Sequence, residues 1–298
     1  HVPSSEVSGL SFADAVNTAN YYSQVGWLHN ELSGLSASDV ITHQPPMGKY
    51  RHVEDVQISA GWGHSGFPMM YYNGWHLGVP QEYIYRSAGW GVWHELGHDY
   101  QMGAWSYVFG TEVTVNLWSL FAQEQLYGNS GLVDGNGYAS AIAVLNDPLV
   151  TDKWAKANQL VFLDQIRLGF PKLNWNLWTQ LIRRYREMPW SEYSAINTDQ
   201  LKRDKLLQVL CDITQTNLTP HFQAWTIPVS QSAKDDCASK APLTQQIWLI
   251  DGAKPYNYAG TGTGQFVREY WSNVSGTAVV SLTSNAAYPS SPTTTSIL

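Results

Sequence analysis

The sequence predicts an α+β fold: short strands early in the chain, a pair of metal-binding helices, a mainly helical C-terminal subdomain, and a small β-rich segment at the end. Three observations predict it. Short runs before residue 75 alternate apolar and polar residues, the period of a strand. From about residue 90 to 225, apolar residues recur with a period near 3.6, punctuated by Gly and Pro. After Pro228 the chain turns polar, and strand-like runs return between Gly- and Asn-rich turns.

In chain order, residues 1–50 read as a lead-in, with a helix over Ser11–Tyr22 and a turn at Gln44-Pro-Pro-Met-Gly48. Val53–Ala60 and Pro68–Tyr72 are strands, and Tyr83-Ile84-Tyr85 is too short to assign. One edge strand here is placed to pair with extended substrate backbone. The motif helix around residues 94–98 follows. A second helix opens near Glu112 after a break at Phe109-Gly110, with Thr111 placed to cap it and Leu117–Leu126 continuing it. Ala139–Asn146 is a short helix stopped by Pro148. Trp154–Phe170, Trp175–Glu187 and Thr198–Thr214 are further helices, some separated by Gly169-Phe-Pro171 and Met188-Pro189. Arg183-Arg184-Tyr185-Arg186-Glu187 reads as a solvated face near a helix C-terminus, where cations are favoured. His221 reads as packed or exposed, with a role in the transition state as the lesser alternative. Ser230–Ala241 reads as a loop, Gln245–Ile250, Gln265–Trp271 and Thr277–Thr283 as strands, and the tail from Tyr288 as a linker. The division expected is 1–50, 51–230 and 231–298.

Composition bounds the function. With 298 residues, 44% hydrophobic and 14% charged, the chain can bury a sizeable core. A net charge of -7 argues against a nucleic-acid partner. No apolar run reaches membrane-spanning length, so no integral membrane contact is expected. Cys211 and Cys237 are not spaced like metal ligands; pairing in an oxidising compartment and two separate thiols both remain open. The start, His1-Val-Pro-Ser-Ser5, reads as the trimmed boundary of a longer chain.

The chemistry is carried by Trp90-Gly-Val-Trp-His94-Glu95-Leu-Gly-His98. Residues four apart share a helix face, so His94 and His98 offer two imidazoles to one metal ion, with Glu95 beside them to deprotonate a water. Zinc in a catalytic site takes three protein ligands. A metzincin requires Gly and His where this chain has Gln101 and Ala104, which excludes that class. Asp99 points off the ligand face. Glu112, on the second helix, is the third ligand expected, and Asn116 lies one turn on, placed to orient its carboxylate. Two histidines on one helix and a glutamate on an antiparallel second helix make the gluzincin, thermolysin-like arrangement.

These residues resemble the enhancin-like zinc metallopeptidases, a family of viral enhancins and bacterial mucin-degrading O-glycopeptidases. The resemblance rests on Trp90-Gly91, Trp93–His98, Gln101, Thr111-Glu112-Val113 and Asn116. Gly63–Met70 upstream and Asn217–Ser230 downstream extend it over about residues 55–230. It implies one Zn2+ on His94, His98 and Glu112, Glu95 as the catalytic base, and mucin-type O-glycosylated proteins as substrates, met by a secreted or cell-surface enzyme. The 14 Trp and 17 Tyr, many near the motif, suit a carbohydrate-bearing substrate. Arg86, Trp90, Trp62 and Trp75 are the candidates for glycan contact. His64, His76, Tyr71, Tyr72 and Tyr85 are the candidates for steadying the oxyanion. A glycan-binding module with a non-catalytic zinc and a general zinc endopeptidase are the alternatives.

Overall fold

The computed structural model describes residues 3–253 except 6, 47, 49, 59–60, 76, 78–88, 107–109 and 129. Helix α1 (Phe12–Leu32) starts at a capping box in which Ser11 and Asp14 satisfy each other's backbone N–H groups. It runs ten residues beyond the expected end because Tyr21, Val25, Leu28 and Leu32 form a buried stripe. That stripe packs against the helices over residues 90–98 and 116–127.

Three short strands follow: β1 (His52–Glu54), β2 (Gly63–His64) and β3 (Met69–Tyr71). The sheet order is β1-β3-β2, with β1 parallel and β2 antiparallel to β3. The first strand is shorter than its alternation predicts, because Asp55 accepts from the Gln57 N–H and turns the chain. β2 was not anticipated, and it lies at an edge.

Helix α2 (Trp90–His98) buries Val92, Trp93, Leu96 and Gly97 and keeps His94, Glu95 and His98 at the boundary with solvent. Then come α3 (Gly103–Ser106), α4 (Thr111–Thr114) and α5 (Asn116–Tyr127). Val115 between α4 and α5 has helical dihedrals, so the two are nearly continuous. Gly110, at φ 84°, occupies the cap position expected for Thr111, which is the first helical residue and makes no capping bond. A Cβ on Gly97 would sit 2.9 Å from Val115 Cγ2 and 3.2 Å from its carbonyl oxygen. Glycine at 97 therefore lets the two metal-site helices approach.

The remaining helices are α6 (Gly131–Asp134), α7 (Gly137–Asn146), α8 (Lys153–Lys156), α9 (Gln159–Gly169), α10 (Asn176–Glu187), α11 (Trp190–Ala195), α12 (Asp199–Thr214), α13 (Thr219–Ala224) and α14 (Gln231–Ala238). The single helix expected over Trp154–Phe170 is split, since Asn158 caps α9 through its side chain and ends α8. Ser230 caps α14 where a loop was expected. Gln245–Ile250 is a 3-10 turn over Ile247–Leu249 rather than a strand: Gln165 donates to the carbonyls of Trp248 and Ile250, replacing strand partners. A two-stranded pair, β4 (Thr216–Asn217) with β5 (Ala241–Pro242), closes this end. One compact unit spans His1–Lys254. The strands expected at 265–271 and 277–283, and the linker-like tail, fall outside the described residues.

The core is rich in indoles: Trp93, Trp105, Trp118, Trp178 and Trp225 are fully buried. Cys211 and Cys237 form a disulfide joining α12 to α14, which settles the alternatives left open. The basic run on α10 is not simply solvated. Arg183 donates to the Gly34 carbonyl and pairs with Asp39, and Arg186 donates to the Ser33 carbonyl, satisfying orphan acceptors at the end of α1. His221 is buried, stacked on Phe162. No described helix is long and apolar enough to cross a membrane.

Candidate metal centre

Helix α2 sets His94 and His98 one turn apart, and α4 brings Glu112 to them. His94 Nε2 lies 2.8 Å from Glu112 Oε2 and 3.1 Å from His98 Nε2, and His98 Nε2 lies 3.6 Å from the same carboxylate oxygen. Among the described residues these three ligand atoms converge within 4.8 Å of one another. The imidazoles are mostly covered, with side chains 16% and 13% exposed, whereas the Glu112 side chain is 74% exposed. The centre thus opens on the Glu112 side.

The outer hydrogen bonds say which atoms are free. Asn116 Nδ2 donates to the Glu112 main-chain carbonyl at 2.7 Å, so its Oδ1 faces His94 Nδ1 at 2.8 Å. The Trp90 indole N–H donates to the same oxygen at 3.0 Å. Asn116 therefore orients His94 rather than the Glu112 carboxylate: an amide four residues on reaches back to the helical carbonyl, not out to the side chain. Gln101 Oε1 lies 2.7 Å from His98 Nδ1. With Asn116 Oδ1 and Gln101 Oε1 as acceptors, each histidine donates through Nδ1 and turns Nε2 toward Glu112. Two imidazole nitrogens and a carboxylate oxygen then converge on one point. About 2.0–2.1 Å bonds to a tetrahedral Zn2+ would space ligand atoms about 3.3–3.4 Å apart, within the observed spread. The donor set fits zinc.

Glu95 projects beside this triad. Burial raises its carboxyl above the ordinary range, opposed by His94, His98 and His64 and reinforced by Glu112. Edge strand β2 runs alongside. A Cβ on Gly63 would lie 3.4 Å from Glu95 Oε1, so the strand offers bare backbone to the space next to the carboxyl. Asp99, raised to about 6 by burial, accepts from the Gly66 N–H at 3.1 Å and holds the loop after β2 against the end of α2.

The other candidates scatter. Trp62 is 72% exposed just before β2, and Tyr72 is 42% exposed, their rings edge to face at 6.0 Å. Trp75 packs over α2, its ring 2.4 Å from where a Gly91 Cβ would stand, and Trp90 is engaged with Asn116. His64 lies on β2 with Nδ1 2.9 Å from the Ser65 carbonyl. Tyr71 is buried and its hydroxyl meets His52 at 3.2 Å. His76, Tyr85 and Arg86 lie outside the described residues. Gln101 entered the sequence reading as the residue that excludes a metzincin and as part of the resemblance, with no role of its own; its place three residues past His98 was the available signal.

A family model described as peptidase M60, enhancin and enhancin-like, matches residues 1–226. The chain belongs to the M60 enhancin-like family. The match takes in α1, ahead of the span over which the sequence resemblance was drawn. A mouse protein named TRPM8 channel-associated factor 2 is 33% identical over 208 residues, covering 63% of this chain and 21% of its own length. The chain spans about a fifth of the length of the curated relatives it matches. A conserved protein of unknown function from Bacillus anthracis has a solved structure similar at TM-score 0.73 and 23% identity, covering 84% of this chain and 52% of that one. IMPa from Pseudomonas aeruginosa, solved in complex with an O-glycopeptide, aligns at TM-score 0.56 and 18% identity, covering 81% of this chain and 34% of that one. The M60 fold seen here is mostly helical with few strands, and the family implies a metal, typically zinc.

Proposed function

We propose that this M60 chain is a zinc-dependent endopeptidase of the gluzincin, thermolysin-like layout that cleaves mucin-type O-glycosylated proteins. The observation that carries the reading is the convergence of three electron-pair donors beside a carboxyl, Glu95, on the open side of α2. His94, His98 and Glu112 would hold the ion; zinc, when bound, would supply Lewis acidity and lower the pKa of water to about 7. Glu95 takes the proton of the attacking water and returns it to the leaving amine nitrogen. Its raised affinity for a proton, caused by burial, suits both directions of that transfer. Gly63 and His64 on β2 pair with extended substrate backbone, and the absence of a side chain at 63 keeps the space beside Glu95 open. His64 is the described candidate best placed to steady the oxyanion, being on the edge strand and within electrostatic reach of Glu95.

The exposed faces of Trp62 and Tyr72, at the start of that strand, suit a sugar ring. The neighbour that carries an O-glycopeptide supports this substrate class. The Cys211–Cys237 disulfide suits a secreted or cell-surface setting. One O-glycopeptide and its bare counterpart test the reading: we expect cleavage of the first only. Equal cleavage of both would make it a general endopeptidase. Sugar-dependent binding without cleavage, in zinc-loaded protein, would make it a glycan-binding module. A second reading follows from the names of the relatives at 33% identity: a domain that associates with a channel without hydrolysing anything. Zinc-dependent cleavage abolished by Glu95→Gln excludes it.

A further inference from the structure

The hydrogen bonds behind His98 run three steps deep, and every one of them has a forced direction. The Ser106 main-chain carbonyl, fully buried at the end of α3, can only accept. Thr114 Oγ1 lies 2.7 Å from it, so the Thr114 hydroxyl hydrogen is spent there. Thr114 is itself fully buried, so no bulk water competes for its oxygen. That oxygen can then only accept from Gln101 Nε2, at 2.9 Å. The other hydrogen of the same amide nitrogen goes to the Thr111 carbonyl at 2.7 Å, again an obligate acceptor. With both N–H groups committed, Oε1 of Gln101 must face His98, and at 2.7 Å it accepts the hydrogen of Nδ1. Turning the amide over would set its oxygen against two acceptors and its NH2 against the ring N–H.

We infer that Thr114, which reaches none of the ligand atoms, is a positioning residue for the metal site. Acting through Gln101, it holds His98 in the tautomer and ring angle that bare Nε2 toward the ion. His94 lacks so deep a support: its amide partner, Asn116, is fixed by one carbonyl and by the Trp90 indole. The Gln101 amide also ties His98 to Thr111, the residue before the third ligand. One side chain therefore sets the orientation of a ligand on α2 and the approach of the ligand on α4. Both are neutral amides, so they orient the imidazoles without adding charge to the site.

The inference rests on the zinc reading of the site but not on peptidase activity. The experiment is a zinc competition titration with a chromophoric chelator on the whole chain. Wild type, Thr114→Val, Thr114→Ser, Gln101→Leu and the Thr114→Val/Gln101→Leu pair are compared. We expect Kd to rise about 10- to 100-fold in Thr114→Val and in Gln101→Leu. Thr114→Ser, which keeps the hydroxyl, should stay near wild type, and the pair should be no weaker than Gln101→Leu alone. Wild-type affinity in folded Thr114→Val, or additive losses in the pair, overturns the relay while leaving the zinc reading intact. No zinc binding by wild type overturns the zinc reading and the relay with it. Long-range 1H–15N spectra of the zinc-free wild type at pH 8 give a measurement that needs no variant. His98 protonated on Nδ1 is expected, and a dominant Nε2–H form overturns the proposal even if Thr114→Val does not fold.

Discussion

The polar cluster around Arg167 and the one around His94 are both held between helices, yet they are assembled from opposite contents. At Arg167, unlike charges meet. Asp164 accepts from Arg167 Nε at 2.6 Å and Nη2 at 3.1 Å and also from the Tyr138 hydroxyl. Asn174 and Glu124 take further guanidinium contacts, and the Trp175 ring lies 4.3 Å below. Burial alone would lower the Arg167 proton affinity, but Asp164 and Glu124 more than offset it. The cluster is closed and asks for nothing. At His94, two imidazole nitrogens and a carboxylate oxygen face one another on a half-open surface, and the outer amides turn both Nε2 atoms inward. A cluster that satisfies itself holds the fold; one that keeps its donors bare is built for a cation.

The comparison can be broken at several points, from the largest effect down. Glu95→Gln should leave zinc stoichiometry unchanged and lower turnover of a glycopeptide by about 10²–10⁴-fold. Turnover retained in that variant would remove Glu95 from the chemistry. Asp164→Ala strands a buried guanidinium and should cost about 3–5 kcal/mol in urea unfolding. Glu112→Ala, by contrast, should abolish tight zinc binding while changing the stability of the zinc-free protein by less than about 1 kcal/mol, as for an exposed side chain. Added zinc should raise the wild-type melting temperature and leave that of Glu112→Ala unmoved. If both substitutions lowered zinc-free stability equally, the distinction between the clusters would fail. Gly97→Ala pushes α2 against Val115 and should cost about 1–3 kcal/mol, weakening zinc binding as well by separating the two histidines from Glu112.

The last test is of pH dependence. Burial lowers His29 to about 4 and His221 to about 3, so both stay neutral in the fold. The unfolded chain takes up their protons near pH 6.5. Below that point it binds more protons than the native state, so stability falls with falling pH, by about 1.4 kcal/mol per unit per histidine until the folded values are reached. Above pH 7 neither contributes a slope. Glu31, raised to about 7 by burial, acts in the opposite sense over the same range, so the check is an NMR titration of each ring: a folded-state midpoint near 6.5 for either histidine would argue against this neutral burial.

Much of the centre was legible in the chain because its geometry is local. Four-residue spacing on one helix joins His94 to His98 whatever surrounds them, and the Gly110 break before an apolar-periodic run places Glu112 at a helix start. Helix α7 ended where Pro148 required, and α12 began at its Thr198 cap. The failures share another cause. Alternation at 53–60 yielded three residues of strand because a local Asx turn intervened. The Gln245–Ile250 run became a 3-10 turn because Gln165, some eighty residues earlier, offered its amide. The arginines of α10 looked solvated because nothing in their own helix reveals the open carbonyls at the end of α1.

By itself, then, the amino-acid order determined the period of the helices, their caps, and a candidate metal-ligand set readable from spacing along two helices. Tertiary structure alone decided that Cys211 meets Cys237, that Asn116 serves His94 instead of the Glu112 carboxylate, and that Gln101 and Thr114 stand behind His98. The reason is physical. Periodicity and capping are set by neighbours within a turn or so, whereas the direction of a buried hydrogen bond is set by whichever obligate acceptor the fold brings to its far end.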